Sequence, residues 1–180
     1  MKYLKIIIIP ILFIAMLALS CERDDICASS TPTTPSLIID LLDNANPDNQ
    51  KSVVGLLVVG VDNDFILPGF NIATVNQLIL PLRTDADTTQ FRLIKEASIN
   101  DNSTPDDDND DFIDGNEDII TINYTRREVY VSRACGFKTI FENVTLDIEE
   151  DSENWMLSTQ SLTRNRSIED ETTAHFSISH

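Results

Sequence analysis

Short runs of branched apolar residues, separated by polar turn residues, recur along most of this chain. Three of them, Leu37–Leu42, Val53–Val61 and Gln77–Leu82, are rich in Ile, Leu and Val and are bounded by Asn, Asp, Gly or Pro, as β-strands are. No stretch after residue 20 has the period of an amphipathic helix. The pattern therefore predicts a mostly β domain.

Further candidate strands follow in the second half of the chain. In Ile119–Tyr124 and again in Arg127–Arg133, apolar and polar residues alternate, and the short Thr125–Arg126 between them suggests a hairpin turn. The other segments are Phe91–Ile94, Val144–Ile148, Trp155–Leu162 and Ala174–Ile178. Eight or nine short strands with polar turns predict a single antiparallel β-sandwich or barrel-like domain.

The first twenty residues read as a secretory leader. Lys2 and Lys5 precede an apolar run from Ile6 to Leu19, and Ser20 stands directly before Cys21. The run has 14 residues, fewer than the roughly 20 that a membrane-spanning helix needs. The end of the leader resembles the lipobox of bacterial lipoproteins, in which the cysteine after the cut carries diacylglycerol and fatty acids such as palmitate. We expect cleavage before Cys21 and lipidation of that residue.

The leader sets the expected domain boundaries and location. Residues 1–20 are the predicted signal peptide, 21–35 a lipid-anchored polar linker and 36–180 a single β-rich domain. Glu22, Asp24 and Asp25 resemble the acidic surface-export signal of Bacteroidetes lipoproteins, although a solvated spacer would have the same composition. The expected location is the outer membrane, at its periplasmic face or at the cell surface.

The net charge of −17 restricts the partners of the chain. Binding to nucleic acid requires concentrated Lys and Arg, so this class of partner is excluded. A surface this acidic favours cations and basic partners instead. The expected partners are the membrane, through the N-terminal lipid, and a second protein of the envelope.

Three cysteines are present, and lipidation of Cys21 leaves Cys27 and Cys135 as a pair in an oxidising compartment. This arithmetic predicts a disulfide between them. The alternative makes Cys135 a nucleophile, which would need a neighbouring base. His175 and His180 are the only histidines, and the alternation of the last strand predicts that His175 is exposed on the face opposite Phe176.

An acidic segment, Asp106–Asp118, is the sharpest local feature after the leader. Its spacing resembles the twelve-residue calcium loop of EF-hands, although Asp111 stands where that loop has glycine and the flanks are predicted strands rather than helices. A solvated loop of like charges is the alternative. The candidate ligands are Asp106, Asp108, Asp110, Phe112 through its carbonyl, Asp114 and Glu117. Calcium at this segment is the only cofactor that the sequence suggests.

The order of segments also carries a family resemblance. LPLRTD, YVSRACGF, ENW and the final AHFSISH, together with the segment after the leader, resemble an uncharacterised lipoprotein family of the Flavobacteria, a domain of unknown function. The resemblance implies membrane anchoring and a shared fold and supplies no activity. We therefore expect a non-enzymatic binding or structural module with no catalytic residues, the alternative being an envelope hydrolase with an unidentified carboxylate site.

Overall fold

A computed structural model describes residues 26–31, 33–101 and 112–180. In chain order its strands are β1 Leu37–Asp43, β2 Asn46–Gln50, β3 Val53–Gly60, β4 Ala73–Val75, β5 Gln77–Leu80, β6 Thr88–Asn100, β7 Phe112–Ser132, β8 Gly136–Ile148, β9 Ser158–Ser161 and β10 Phe176–Ser179. The described residues form no helix, and so none that could cross a membrane. The mostly β prediction is confirmed.

The strands form two sheets. In the first, the order is β2-β1-β10-β9, and β5 pairs antiparallel with β1 beside β2. In the second, the order is β4-β3-β6-β7-β8. The described strands do not close into a barrel. One pair departs from the antiparallel expectation, because β1 and β10 run parallel, with Ile39 opposite Phe176.

Apolar side chains of both sheets share one core. Alternate residues of β1 and β7 point into it, and Leu37, Ile39, Ile120 and Ile122 are fully buried there. A second, smaller cluster consists of Leu57, Val59, Ile94 and Ala97. The continuous apolar run of β3 supplies residues to both clusters, which explains why it lacks the alternation of a half-exposed strand.

The hairpin turn predicted at Thr125–Arg126 is wrong. Strand β7 runs without a break through both residues to Ser132, and the turn to β8 falls at residues 133–135. The Thr125 hydroxyl donates to the Glu142 carbonyl at 3.1 Å, and the Arg126 guanidinium donates to Asp87. Both polar side chains therefore have hydrogen-bond partners while the backbone stays extended, and no turn is needed to accommodate them. Gly136, at φ +69°, takes the left-handed conformation after the true turn.

A bulge bends the β6–β7 pair. Lys95 faces Asn116 and Ser98 faces Asp114, so Glu96 and Ala97 together oppose Gly115. A Cβ at Gly115 would lie 2.7 Å from the Ile94 methyl and 2.8 Å from the Lys95 carbonyl oxygen. Glycine is therefore required at this position of the bulge, which leaves no room for a Cβ.

The chain divides into two compact units. The smaller comprises, among described residues, 26–31 and Tyr130–Phe137. The larger comprises residues 33–129 and 138–180 of the described chain and holds the shared core. The expected boundaries at residues 20 and 35 stay predictions.

Candidate functional site

A concave feature of the larger unit lies beside the loop that joins β5 to β6. This cleft has a volume of about 600 Å³. Its lining is largely apolar, with Leu67, Leu82 and Phe91 buried and Phe65 58% exposed. Concave, mostly apolar sites with a few placed polar groups are where small ligands bind. No sequence motif predicted a site here.

Arg83 supplies the charged group at the cleft. Its Nε and Nη2 atoms donate to the two carboxylate oxygens of Asp85, both at 3.0 Å, and its Nη1 donates to Asp62. The hydrogen bonds from Arg83 lower the pKa of Asp85, and those to Asp85 and Asp62 raise the pKa of Arg83. Two carboxylates therefore hold the guanidinium, which leaves the cleft without an uncompensated positive charge.

A buried hydroxyl pair fixes the backbone of this loop. The Tyr124 hydroxyl donates to the Arg83 carbonyl at 2.9 Å and lies 2.6 Å from the Thr89 hydroxyl, which accepts from the Arg83 amide at 3.0 Å. Tyr124 has one proton to donate, so Thr89 is the donor between the two hydroxyls. Burial raises the pKa of Tyr124, which keeps its hydroxyl protonated. The loop is thus set by a specific network rather than by packing alone.

Arg126 holds the other end of the same loop. Its Nε donates to Asp87 at 2.8 Å, and its Nη1 donates to the Thr84 carbonyl at 2.6 Å. The sequence signal was available, because Arg83, Asp85 and Asp87 alternate in LPLRTDAD before a strand. The shorter segment LPLRTD supported only the family resemblance, and no site was predicted there.

The two histidines are buried, so the prediction that His175 is an exposed strand residue is wrong. His175 is 4% exposed, and its Nδ1 accepts the Ile38 amide proton at 3.0 Å. The proton is therefore on Nε2, which lies 3.0 Å from the Asp170 carbonyl oxygen. His180 is 7% exposed, and its Nε2 lies 3.1 Å from the Lys51 carbonyl oxygen. Burial lowers the pKa of both residues.

Asp118 is the one fully buried carboxyl among the described residues. Its two oxygens accept the backbone amide protons of Trp155 at 3.3 Å and Met156 at 2.8 Å. Burial raises the pKa of Asp118. A raised carboxyl pKa is a common feature of acid catalysts. Here the carboxyl is 0% exposed and occupied by backbone, so its role is to hold the segment before β9 against β7.

The candidate calcium ligands fall into two groups. Asp106, Asp108 and Asp110 lie outside the described residues, whereas Phe112, Asp114 and Glu117 belong to strand β7. Glu117 faces Ile94 across the strand pair, and its carboxylate lies 3.7 Å from the Arg92 guanidinium. Within residues 26–31, 33–101 and 112–180, no group of three or more His, Cys, Asp and Glu side chains could hold a metal ion. Calcium binding stays a prediction.

A disulfide joins Cys27 and Cys135, the pair that the sequence analysis proposed, with their Cα atoms 4.8 Å apart. Both residues belong to the smaller unit. The bridge removes the thiol that a nucleophilic Cys135 would require. The predicted lipidation site, Cys21, lies outside the described residues.

Part of the chain matches the model of a known protein family. The model of a family of unknown function, DUF6452, matches residues 55–180. The match includes the cleft, Asp118 and both histidines. Comparison with curated proteins and with solved structures gave no match. The expected domain of unknown function is thereby confirmed, and its flavobacterial distribution and lipid anchor stay predictions.

Proposed function

The chain belongs to DUF6452, a family of unknown function, and we propose that it is a lipid-anchored, non-enzymatic binding protein of the cell envelope. The cleft beside Arg83 is its binding site. The observation that carries the proposal is an apolar lining, about 600 Å³ in volume, next to an Arg–Asp network that fixes the loop above it. The leader and Cys21 support the anchor.

The polar groups near the cleft are suited to fixing the conformation of the β5–β6 loop rather than to catalysis. The Arg83 guanidinium is bound by Asp62 and Asp85, and the Thr89 hydroxyl is bound to Tyr124. General acid–base catalysis needs a group that can reach and exchange a proton with its substrate. The ligand that suits this site is an uncharged amphipathic group, with an apolar part on Leu82 and Phe91.

Phe65 allows a test of the cleft without a change in the core. Nile red, an uncharged apolar dye, is titrated into the folded protein, and its emission gives Kd. Phe65 is 58% exposed, so Phe65→Ser should preserve folding. We expect a loss of about 1 kcal/mol, or roughly fivefold in Kd, because an aromatic contact is removed.

Leu162→Ser is the matched control, because Leu162 is a similarly exposed apolar side chain that does not line the cleft. It should leave Kd unchanged. An equal loss in both variants would show that the dye binds exposed apolar surface in general, which would contradict the cleft as a site.

The anchor is tested separately with Cys21→Ala in the full chain. We expect the variant to lose its acyl groups and to leave the membrane fraction, since the lipid supplies the membrane affinity. Mass spectrometry of the N-terminal peptide checks the first result, and fractionation checks the second. Retention of the unacylated variant in the membrane would refute lipid anchoring.

A further inference from the structure

The ends of β7 and β8, on either side of the turn between them, carry two exposed aromatic side chains. Tyr130 is 59% exposed and Phe137 is 65% exposed, and their ring centroids lie 5.4 Å apart at an angle of 69°. Ile26, in the same unit, is 83% exposed. Aromatic rings with a polar tip are enriched where membrane and water meet, because one end is apolar and the other is hydrated.

The described residues of the smaller unit carry little charge. Among its described residues, 26–31 and 130–137, Arg133 is the only charged side chain. The whole chain has a net charge of −17. Anionic lipid surfaces repel carboxylates and attract Arg and Lys. The exposed aromatic pair thus lies in a part of the described chain that an anionic surface does not repel.

The disulfide connects this unit to the expected site of lipidation. Cys27 follows Cys21 by six residues, and six residues span at most about 20 Å when fully extended. Cys27 is bonded to Cys135, which lies two residues before Phe137. The bridge therefore keeps the aromatic pair within a short reach of the lipid, irrespective of the path of the six residues.

We propose that Tyr130, Phe137 and Ile26 form a membrane-docking surface that contacts the bilayer in which the Cys21 lipid is inserted. The inference rests on the proposed lipid anchor. The anchor supplies proximity, the disulfide selects which part of the protein faces the bilayer, and the aromatic pair makes the contact. The contact with the bilayer thereby fixes the orientation of the smaller unit.

The test uses the full lipidated chain, reconstituted into vesicles of phosphatidylethanolamine and phosphatidylglycerol with brominated acyl chains, which quench nearby tryptophan. The native Trp155 is buried and provides the baseline. Phe137→Trp places a reporter in the docking surface, and Leu162→Trp places one at an exposed apolar side chain of the other unit, outside the cleft. We expect quenching of the first reporter to be at least about twofold stronger.

Each outcome decides between the alternatives. Equal quenching of the two reporters, or quenching of neither, would overturn the docking surface. The Phe137→Trp reporter is then combined with Cys27→Ser and Cys135→Ser, and its quenching should fall if the bridge orients the unit. Unchanged quenching would overturn that role. Absence of an acyl group on the Cys21 peptide would refute the proposed anchor itself, whereas acylated protein without selective quenching refutes only the docking surface.

Discussion

The buried carboxylate of Asp118 gives the sharpest test of how this fold is held together. It accepts two backbone amide protons, from Trp155 and Met156, and is fully buried. Asp118→Ala would leave both amides without this acceptor in the interior, at about 1–3 kcal/mol each. Removing a carboxylate whose own burial is unfavourable offsets part of this cost. We expect a net loss of about 3 kcal/mol in the free energy of unfolding.

The assay can follow the affected segment directly. Trp155 is the only tryptophan, and its indole N–H donates to the Leu93 carbonyl at 3.2 Å. Its fluorescence reports on the segment that Asp118 holds, and far-ultraviolet circular dichroism reports on the sheets. A loss of about 3 kcal/mol corresponds to a fall in Tm of roughly 6–12 °C for a domain of this size. If the segment is released locally, the fluorescence transition should occur at a lower temperature than the dichroism transition.

The pH dependence of the same site has a definite sign. Burial raises the pKa of Asp118, so the folded protein binds this proton more tightly than the unfolded chain does. The contribution of the group to stability is therefore largest below the ordinary carboxyl pKa and falls as pH rises through the raised value. Asp118→Asn does not titrate, so its stability deficit against the parent should shrink between about pH 3 and pH 7.

Asp48→Ala is the control, because Asp48 is an exposed carboxylate on β2. It should change Tm by no more than a degree or two, as surface substitutions usually do. An equal effect of Asp118→Ala and Asp48→Ala would refute the assigned role. A stability deficit of Asp118→Asn that grows with pH would refute the sign of the pKa argument.

Three further predictions concern the bridge, a buried histidine and the bulge. Reduction of the Cys27–Cys135 disulfide, which spans 108 residues, should lower stability by at most about 4–5 kcal/mol, measured by urea unfolding with and without reductant. Burial lowers the pKa of His180. The free energy of unfolding that this group contributes is therefore present above the usual histidine pKa of about 6.5 and is lost as pH falls through the lowered value. His180→Gln should reduce this loss, measured by thermal melts at several pH values. Gly115→Ala should lower the free energy of unfolding by about 1–3 kcal/mol more than Gly69→Ala does, because an added Cβ meets nothing within 4 Å at Gly69. Equal losses in the two variants would contradict the close approach at the bulge.

The apolar strands could be predicted from the sequence, and the polar strand β2 could not. The segments around β1, β3 and β5 were predicted from branched apolar runs. Strand β2, Asn46–Gln50, is exposed along its whole length, so no burial pattern marks it. It exists because its backbone pairs with β1, as Leu42 with Gln50. Hydrophobic periodicity in a sequence indicates which side chains are buried. It cannot reveal a strand whose side chains are all exposed and whose backbone alone is paired.

The last strand shows why alternation misplaced His175. Alternation predicts one buried face only when the other face of a sheet is in solvent. Strand β10 lies between β1 and β9, and both Ser177 and Phe176 are buried. The imidazole of His175 is accommodated by accepting the Ile38 amide proton. Such a partner comes from a residue 137 positions away, and sequence spacing carries no information about it.

Only the local part of the Arg83 network could be predicted from the sequence, for a related reason. Arg83 and Asp85 are two residues apart, but Asp62 comes from the loop after β3 and Tyr124 from β7. The tertiary fold alone brings these elements together, because β6 pairs with both β3 and β7. In the sequence these residues indicate only polar turns. The site becomes visible when the fold brings their side chains together.

In the acidic segment, the residue spacing resembles a calcium loop, but the described backbone is an extended strand. In a calcium loop the chain curves so that alternate side chains and a final glutamate converge on one ion. In β7, Phe112, Asp114 and Glu117 lie along an extended strand paired with β6, where successive side chains point to opposite faces. Closing the predicted loop would therefore require the strand to lose its pairing from Phe112 to Glu117.

This conflict leads us to expect that Ca²⁺ raises Tm no more than Mg²⁺ or added NaCl, all of which screen the like charges of the segment. A specific site would instead add RT ln(1 + [L]/Kd), about 2.7 kcal/mol at a hundredfold excess of Ca²⁺ over Kd. Glu117→Gln distinguishes the two cases, because it removes the bidentate ligand of a calcium loop but only one charge of a screened segment. A Ca²⁺-selective rise in Tm that Glu117→Gln abolishes would refute our expectation. It would also mean that calcium binding is strong enough to displace the β6–β7 pairing at this end.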